Sequence, residues 1–255
     1  MLATKNLKVG FHNKNGNIVL LDLLNLSAND GELVAIIGRN GSGKTTLLRT
    51  LAGLHPPLAG DVLLDETLLT KISVQDRAKR MALVNTKRFG LGYFRVDDLV
   101  ALGRHPHTGF LGFLNDNDKA EIHKACEATG IEALLEKNVN QLSDGEHQKV
   151  MIARALAQST PLLMLDEPTA HLDLINRMEI FQLLRELSKN SNTTVVVCTH
   201  EIETALSVAD RLIVLDGKGE AMIDSPDILV KNGTLENVFA HKVIEFDPVT
   251  RKFKF

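Results

Sequence analysis

Apolar and polar positions fall into two regimes along this chain. Leu33-Val34-Ala35-Ile36-Ile37 is an unbroken apolar run, the pattern of a parallel strand covered on both faces. Similar short runs recur at 81–84, 162–165, 194–198 and 212–215. Helical patterns lie between them at 45–52, 144–158 and 175–189. The first of these stops at Gly53 and Pro56-Pro57, residues that end helices. Strands alternating with helices predict a parallel sheet. Residues 1–30 read differently, as short strands with a hairpin signal at Asn13-Lys14-Asn15-Gly16. Residues 88–145 carry no strong strand pattern: they begin as loop and turn helical at about 116–129 and 131–136. The tail, 243–255, alternates weakly and reads as a short hairpin. The expected organisation is one domain over 1–255. It has an antiparallel β part at 1–30, an α/β core at 31–87 and 146–240, a helical subdomain at 88–145 and a β tail at 241–255.

Composition narrows the reading. A chain of 255 residues with 44% apolar and 24% charged residues is long enough for one large α/β domain. A net charge of −3 gives no global basic field, so no nucleic-acid partner is expected. Cys126 and Cys198 lie far apart and form neither a CxxC pair nor a ligand cluster, so a disulfide framework is not expected. The first residues lack the apolar core of a signal peptide. No apolar run approaches the ~20 residues that cross a bilayer. Membrane work would need spans from another chain.

Candidate chemistry begins after the first apolar run. Gly38-Arg39-Asn40-Gly41-Ser42-Gly43-Lys44-Thr45 fits G-x-x-x-x-G-K-[ST], between a strand and a helix. Glycines let backbone N–H groups converge on phosphate oxygens, and the helix N-terminus adds its positive dipole end. Lys44 would reach the β- and γ-phosphates and Thr45 would ligate Mg²⁺; Thr46 joins the ATP-binding candidates. A phosphate loop in this setting predicts a P-loop NTPase core, a mixed and mostly parallel sheet flanked by helices. Downstream, the run 162–165 ends in Asp166-Glu167. Strand ends beside a phosphate loop face the ligand crevice. Asp166 would hold Mg²⁺, and Glu167 would act as general base toward water. Ser143 and Glu146 form an S-x-x-E capping box, which by itself marks only a well-capped helix.

The order of four motifs resembles the ATP-binding cassette ATPases. They are the phosphate loop, LSDGEHQKVMIARALA from 142, LLMLDEPTAHLD from 162, and CTH at 198–200. The resemblance covers nearly the whole chain. It implies a homodimer in which two cassettes sandwich two ATP molecules head to tail. Each ATP would lie between one phosphate loop and Ser143, Gly145 and Glu146 of the other copy. It also implies that Asp173 lies in a loop acting across the interface, that His200 contacts the γ-phosphate and the attacking water, and that Phe11 stacks on adenine. The chain departs from the family at Asp144, where Gly is usual, and at Glu146, where Gln is usual. Asp144 is expected to turn outward. Thr86 stands at the position of a Mg²⁺-binding Gln and, being shorter, would reach the metal only through water. His171 replaces a smaller residue, and no feature of the sequence accounts for it.

Val100-Ala101-Leu102-Gly103-Arg104-His105-Pro106 is similar to a segment of importer ATPases for iron–siderophore complexes, haem and cobalamin. Residues 245–250 with Phe253 resemble the same group. This implies the ATPase subunit of a bacterial importer, peripheral on the cytoplasmic side of the inner membrane. Its partners would be integral-membrane permease subunits and, through them, a substrate-binding protein. Phe94, Phe110, Leu111 and Phe113 would line the dock for a permease helix. A soluble ATPase of iron–sulfur cluster assembly is the alternative of the same length.

Overall fold

The computed structural model describes residues 1–14, 16–85, 93–109, 112–240, 243 and 245–254. Thr86, Phe110 and Leu111 lie outside the described residues. In chain order the elements begin with β1 (Leu2–Asn13), β2 (Gly16–Leu24), β3 (Ser27–Ala28), β4 (Leu33–Gly38) and α1 (Lys44–Leu51). Next come β5 (Ala59–Leu64), β6 (Thr67–Leu68), α2 (Val74–Ala78) and β7 (Met81–Asn85). The helical part holds α3 (Val96–Ala101), α4 (Asp116–Thr129) and α5 (Asp144–Ala157). The chain then returns to β8 (Leu162–Asp166), α6 (Leu174–Asn190), β9 (Thr194–Cys198), α7 (Ile202–Val208), β10 (Arg211–Leu215) and β11 (Ala221–Asp224). It ends with α8 (Pro226–Lys231), α9 (Thr234–Phe239), β12 (Glu245–Asp247) and β13 (Lys252–Lys254).

The central sheet has six strands in the order β11-β10-β4-β9-β8-β7. All its pairings are parallel except β10 with β11. β4 lies in the middle and every one of its residues is buried. Alternate side chains feed opposite cores, as the two-residue period requires. Ala35 and Ile37 join Val197, Leu165, Val150 and Phe181 under α5 and α6. Val34 and Ile36 join Val196, Met164 and, from α1, Leu47, Leu48 and Leu51. This second core also takes Leu2, Leu7, Leu21 and Leu64 from the antiparallel sheet, which therefore covers α1 from outside.

That antiparallel sheet extends beyond the stretch 1–30. Its order is β2-β1-β5-β6, with β3 also on β1, so residues 59–68 belong to it rather than to the parallel core. Leu2 pairs with Leu64 and Ala3 with Leu63. An edge of β1 left open would expose unpaired backbone groups, and β5 closes it. The expected helix at 131–136 shrinks to one 3₁₀ turn, Glu132–Leu134. Gly130, in the left-handed conformation (φ 64°), ends α4 just before it, and the Asn138 cap opens the next turn just after it. In the tail, β12 and β13 form the expected hairpin, pairing Phe246 with Phe253.

Candidate functional site

The phosphate loop runs from the end of β4 into α1. Gly43 caps α1 in the left-handed region, with φ 99°, where a side chain would be strained. Among the described residues Ser42 Oγ is buried and finds no hydrogen-bond partner. An orphaned hydroxyl in a phosphate-shaped loop fits an absent anionic ligand. Lys44 is 5% exposed. Its ammonium donates to the carbonyls of Gly38 at 3.0 Å and Arg39 at 3.4 Å, and to His200 Nδ1 at 3.4 Å. Burial pushes the Lys44 amine below its usual value, and Glu167 is the strongest of the charges opposing that shift. The loop's own carbonyls thus hold a desolvated cation where phosphate oxygens would take over.

The sheet register delivers the acidic residues to this loop. Asp166 pairs with Cys198 across β8 and β9, one strand from the β4 end. Thr45 Oγ donates to Asp166 Oδ1 at 2.9 Å, which brings together the two oxygen donors read from sequence as Mg²⁺ ligands. Glu167 follows in the left-handed conformation, φ 53°, and its N–H donates to Cys198 O at 2.9 Å. Its Oε1 lies 2.6 Å from His200 Nε2. Because Lys44 donates to His200 Nδ1, that nitrogen is the acceptor, so the proton sits on Nε2 and points at Glu167. One hydrogen-bonded chain, Lys44–His200–Glu167, therefore joins three of the candidates. Cys198 Sγ is buried beneath it and donates to Lys44 O; burial pushes its thiol well up, so it stays protonated.

The signature residues are assembled separately. Ser143 caps α5: its hydroxyl accepts from Glu146 N–H at 3.2 Å, and Glu146 Oε2 accepts from Ser143 N–H at 2.8 Å. Glu146 Oε1 also accepts from Lys137 at 3.2 Å. The bond from the Ser143 backbone, more than Lys137, holds its carboxyl below the usual range. The extra carboxylate is thus folded back and balanced, while Asp144 is exposed, as expected, in the first turn. Gly145 is required by packing, since a Cβ there would lie 2.4 Å from Asn176 Oδ1. Asn176 in turn donates to both carboxylate oxygens of Asp173, the cap of α6. The Asp173 loop and the signature therefore stand side by side. Among the described residues no hydrogen bond or ion pair joins 143–146 to the phosphate loop.

Four further candidates lie around this centre. Phe11 is half-exposed on β1, its ring 5.1 Å from that of His55. Asn40 and Gly41 are exposed. Gly38, Arg39 and Asn40 line a shallow depression of about 430 Å³ with His200, Ile202 and Phe239. Thr46 is the third residue of α1 and accepts from Thr50 Oγ through its carbonyl. Sequence reasoning passed over His55, whose Nε2 bonds Gly10 O at 2.7 Å, and Arg177 with Glu201, which pair at 2.8 Å. These depend on long-range approach and carry no local signal.

Comparison with known proteins agrees with this geometry. A family model described as ABC transporter matches residues 21–170. An ABC transporter ATP-binding protein of Methanocaldococcus jannaschii is 40% identical over 100% of this chain and 86% of its own length. The iron(3+)-hydroxamate import ATP-binding protein of Bacillus subtilis is 38% identical over 89% of this chain and 86% of its own. The ferric enterobactin transport ATP-binding protein of Escherichia coli is 35% identical over 92% and 87%. Among solved structures, a chain of a metal-chelate type ABC transporter in an inward-facing conformation superposes with TM-score 0.79 at 28% identity, covering 93% of this chain and 88% of that one. A dimeric ATP-binding cassette with ADP and phosphate gives TM-score 0.76 at 28% identity, covering 89% and 99%. With its phosphate loop, acidic strand end and capped signature helix in place, this chain belongs to the ABC transporter family.

Proposed function

We propose that this chain is the ATP-hydrolysing subunit of an importer for large metal-chelate compounds. The observation that carries the chemistry is the chain Lys44–His200–Glu167 beside the Thr45–Asp166 pair. The phosphate loop and Lys44 bind the β- and γ-phosphates of ATP, with Ser42 Oγ finding its missing partner there. Asn40, Gly41 and Thr46 complete the cradle, and Phe11 meets the adenine. Glu167 accepts a proton from water as its oxygen bonds the γ-phosphorus and the bond to the ADP oxygen breaks. His200 orients Glu167 and faces the γ-phosphate. Thr45 and Asp166 would hold Mg²⁺, a set of hard oxygen donors that suits this ion, and bound Mg²⁺ would offset phosphate charge. The second half of the site is supplied by Ser143, Gly145 and Glu146 of another copy, with Asp173 beside them. A helix N-terminus with a free face is a suitable anion site, and the dimeric cassette with ADP and phosphate supports this arrangement.

The importer assignment draws on the relatives. Those of Bacillus subtilis and Escherichia coli are named for iron–hydroxamate import and ferric enterobactin transport, and a Halobacterium salinarum relative for cobalamin import. All these names favour transport over iron–sulfur assembly. No helix among the described residues is long and apolar enough to cross a membrane, which suits a peripheral subunit on the cytoplasmic face of a permease. Exposed Phe94, Phe113 and Tyr93 would contribute to the permease dock. The deciding experiment is co-purification from membranes. A polytopic permease that stimulates ATPase activity on adding a binding protein loaded with ferric chelate supports the proposal. A soluble assembly complex in its place would overturn it.

A further inference from the structure

We infer that Arg177 is a positioning residue that holds His200 against Glu167, an inference that rests on the proposed roles of those two residues. Glu167 begins the loop that leads to α6, and His200 lies in the loop that leads to α7. Two bonds join the loops at the site: Glu167 N–H to Cys198 O at 2.9 Å and Glu167 Oε1 to His200 Nε2 at 2.6 Å. Arg177 supplies a further rung between the two loops. Its Nη1 donates to Glu201, the residue after His200, at 2.8 Å. Its Nε donates to Leu172 O, in the loop that Glu167 begins, at 2.7 Å. One planar guanidinium therefore spans both loops.

Among the described residues few other bonds fix the His200 loop beyond those to Lys44 and Glu167. Glu201 N–H bonds Thr199 Oγ and Ile202 N–H bonds His200 O, both contacts internal to the loop. Thr199 N–H to Ile36 O ties it to β4, but among the described residues no backbone bond holds its far end toward α6. The Arg177 fork does. Lysine cannot replace it, because a single ammonium lacks a fork fixed in two directions. The same guanidinium anchors Leu172, next to Asp173, so the loop expected to face the partner copy shares this fastening.

The test is ATP hydrolysis and ATP binding by purified Arg177→Ala, Arg177→Lys and Glu201→Ala, each also combined with His200→Ala. We expect Arg177→Ala to lower kcat roughly tenfold, since misplacement by about 1 Å can cost on the order of 100-fold. ATP affinity should stay unchanged, and Arg177→Lys should recover only part of the rate. In the His200→Ala background the change at position 177 should cost nothing further. Undiminished kcat, a parallel loss of ATP affinity, or the same fold-loss with and without His200 would each overturn the inference. Should Arg177→Ala fail to fold, Glu201→Ala removes the acceptor of the Nη1 bond, and full turnover by that variant is equally decisive against it. Wild-type turnover by His200→Ala alone would instead remove the site reading beneath it.

Discussion

The two halves of the proposed nucleotide site are built in opposite ways. The phosphate-loop half is made by the fold: Gly38, Lys44, Thr45, Asp166, Glu167 and His200 come from three neighbouring parallel strands and meet only because β4, β9 and β8 are adjacent. The signature half is made by local chain geometry: Ser143 and Glu146 satisfy each other within one turn. The first half holds strain and desolvation, with a buried cation on carbonyls, an orphaned hydroxyl and a carboxylate residue in the left-handed region. At Ser143 and Glu146 the polar groups satisfy each other, and the costs lie beside them, in a buried Gln148 Nε2 with no partner among the described residues and in His171 at φ 67°. A protein concentrates such costs where ligand is to be bound and transformed. In the proposed function the first half would carry the chemistry, and the locally capped second half would meet another copy's phosphate.

Substitutions can break this comparison, and the largest effect should come from its centre. Lys44→Ala should weaken ATP binding by about 100-fold or more, the scale of losing one preorganised charge contact, measured by calorimetric titration. Glu167→Gln should keep binding but slow turnover by on the order of 10² to 10⁴, the contribution of general base catalysis. ATP should then hold a dimer visible by light scattering, and normal hydrolysis would remove Glu167 as base. Thr45→Val should raise the Mg²⁺ concentration needed for half-maximal rate while leaving the fold intact, read from a metal titration. Ser143→Ala tests the other half. It should cost about 1 kcal/mol as a lost cap, or a Tm shift near 2–4 °C for a chain of this size, and weaken ATP-driven dimerisation without altering nucleotide binding to the monomer. Glu146→Gln should be the mildest, within about 0.5 kcal/mol, because the half-exposed Lys137 pair contributes little while the amide can still accept from Ser143 N–H.

Legibility followed the same division. The capping box at Ser143 was readable because both partners sit within four residues. β4, β8, β9 and β10 were readable from their unbroken apolar runs, which only burial on both faces explains. β5 was not, because a three-residue run, Val62-Leu63-Leu64, gains its meaning from the open edge of β1. His55 against Phe11 and Arg177 against Glu201 were equally silent, since no spacing rule links residues that different elements bring together.

The sequence alone determined which residue types are available and where the chain must turn: the glycines and Lys44 of the phosphate loop, the acidic end of β8, the cap of α5. These are local, set by backbone conformation and short-range hydrogen bonds. Only the tertiary structure decided that Thr45 touches Asp166, that His200 donates to Glu167 while accepting from Lys44, and that Glu146 turns back onto Lys137. The physical reason is that strand order and register are fixed by burying the whole sheet at once. Distances of a few ångströms between residues far apart in sequence are a product of that packing, not of any one segment.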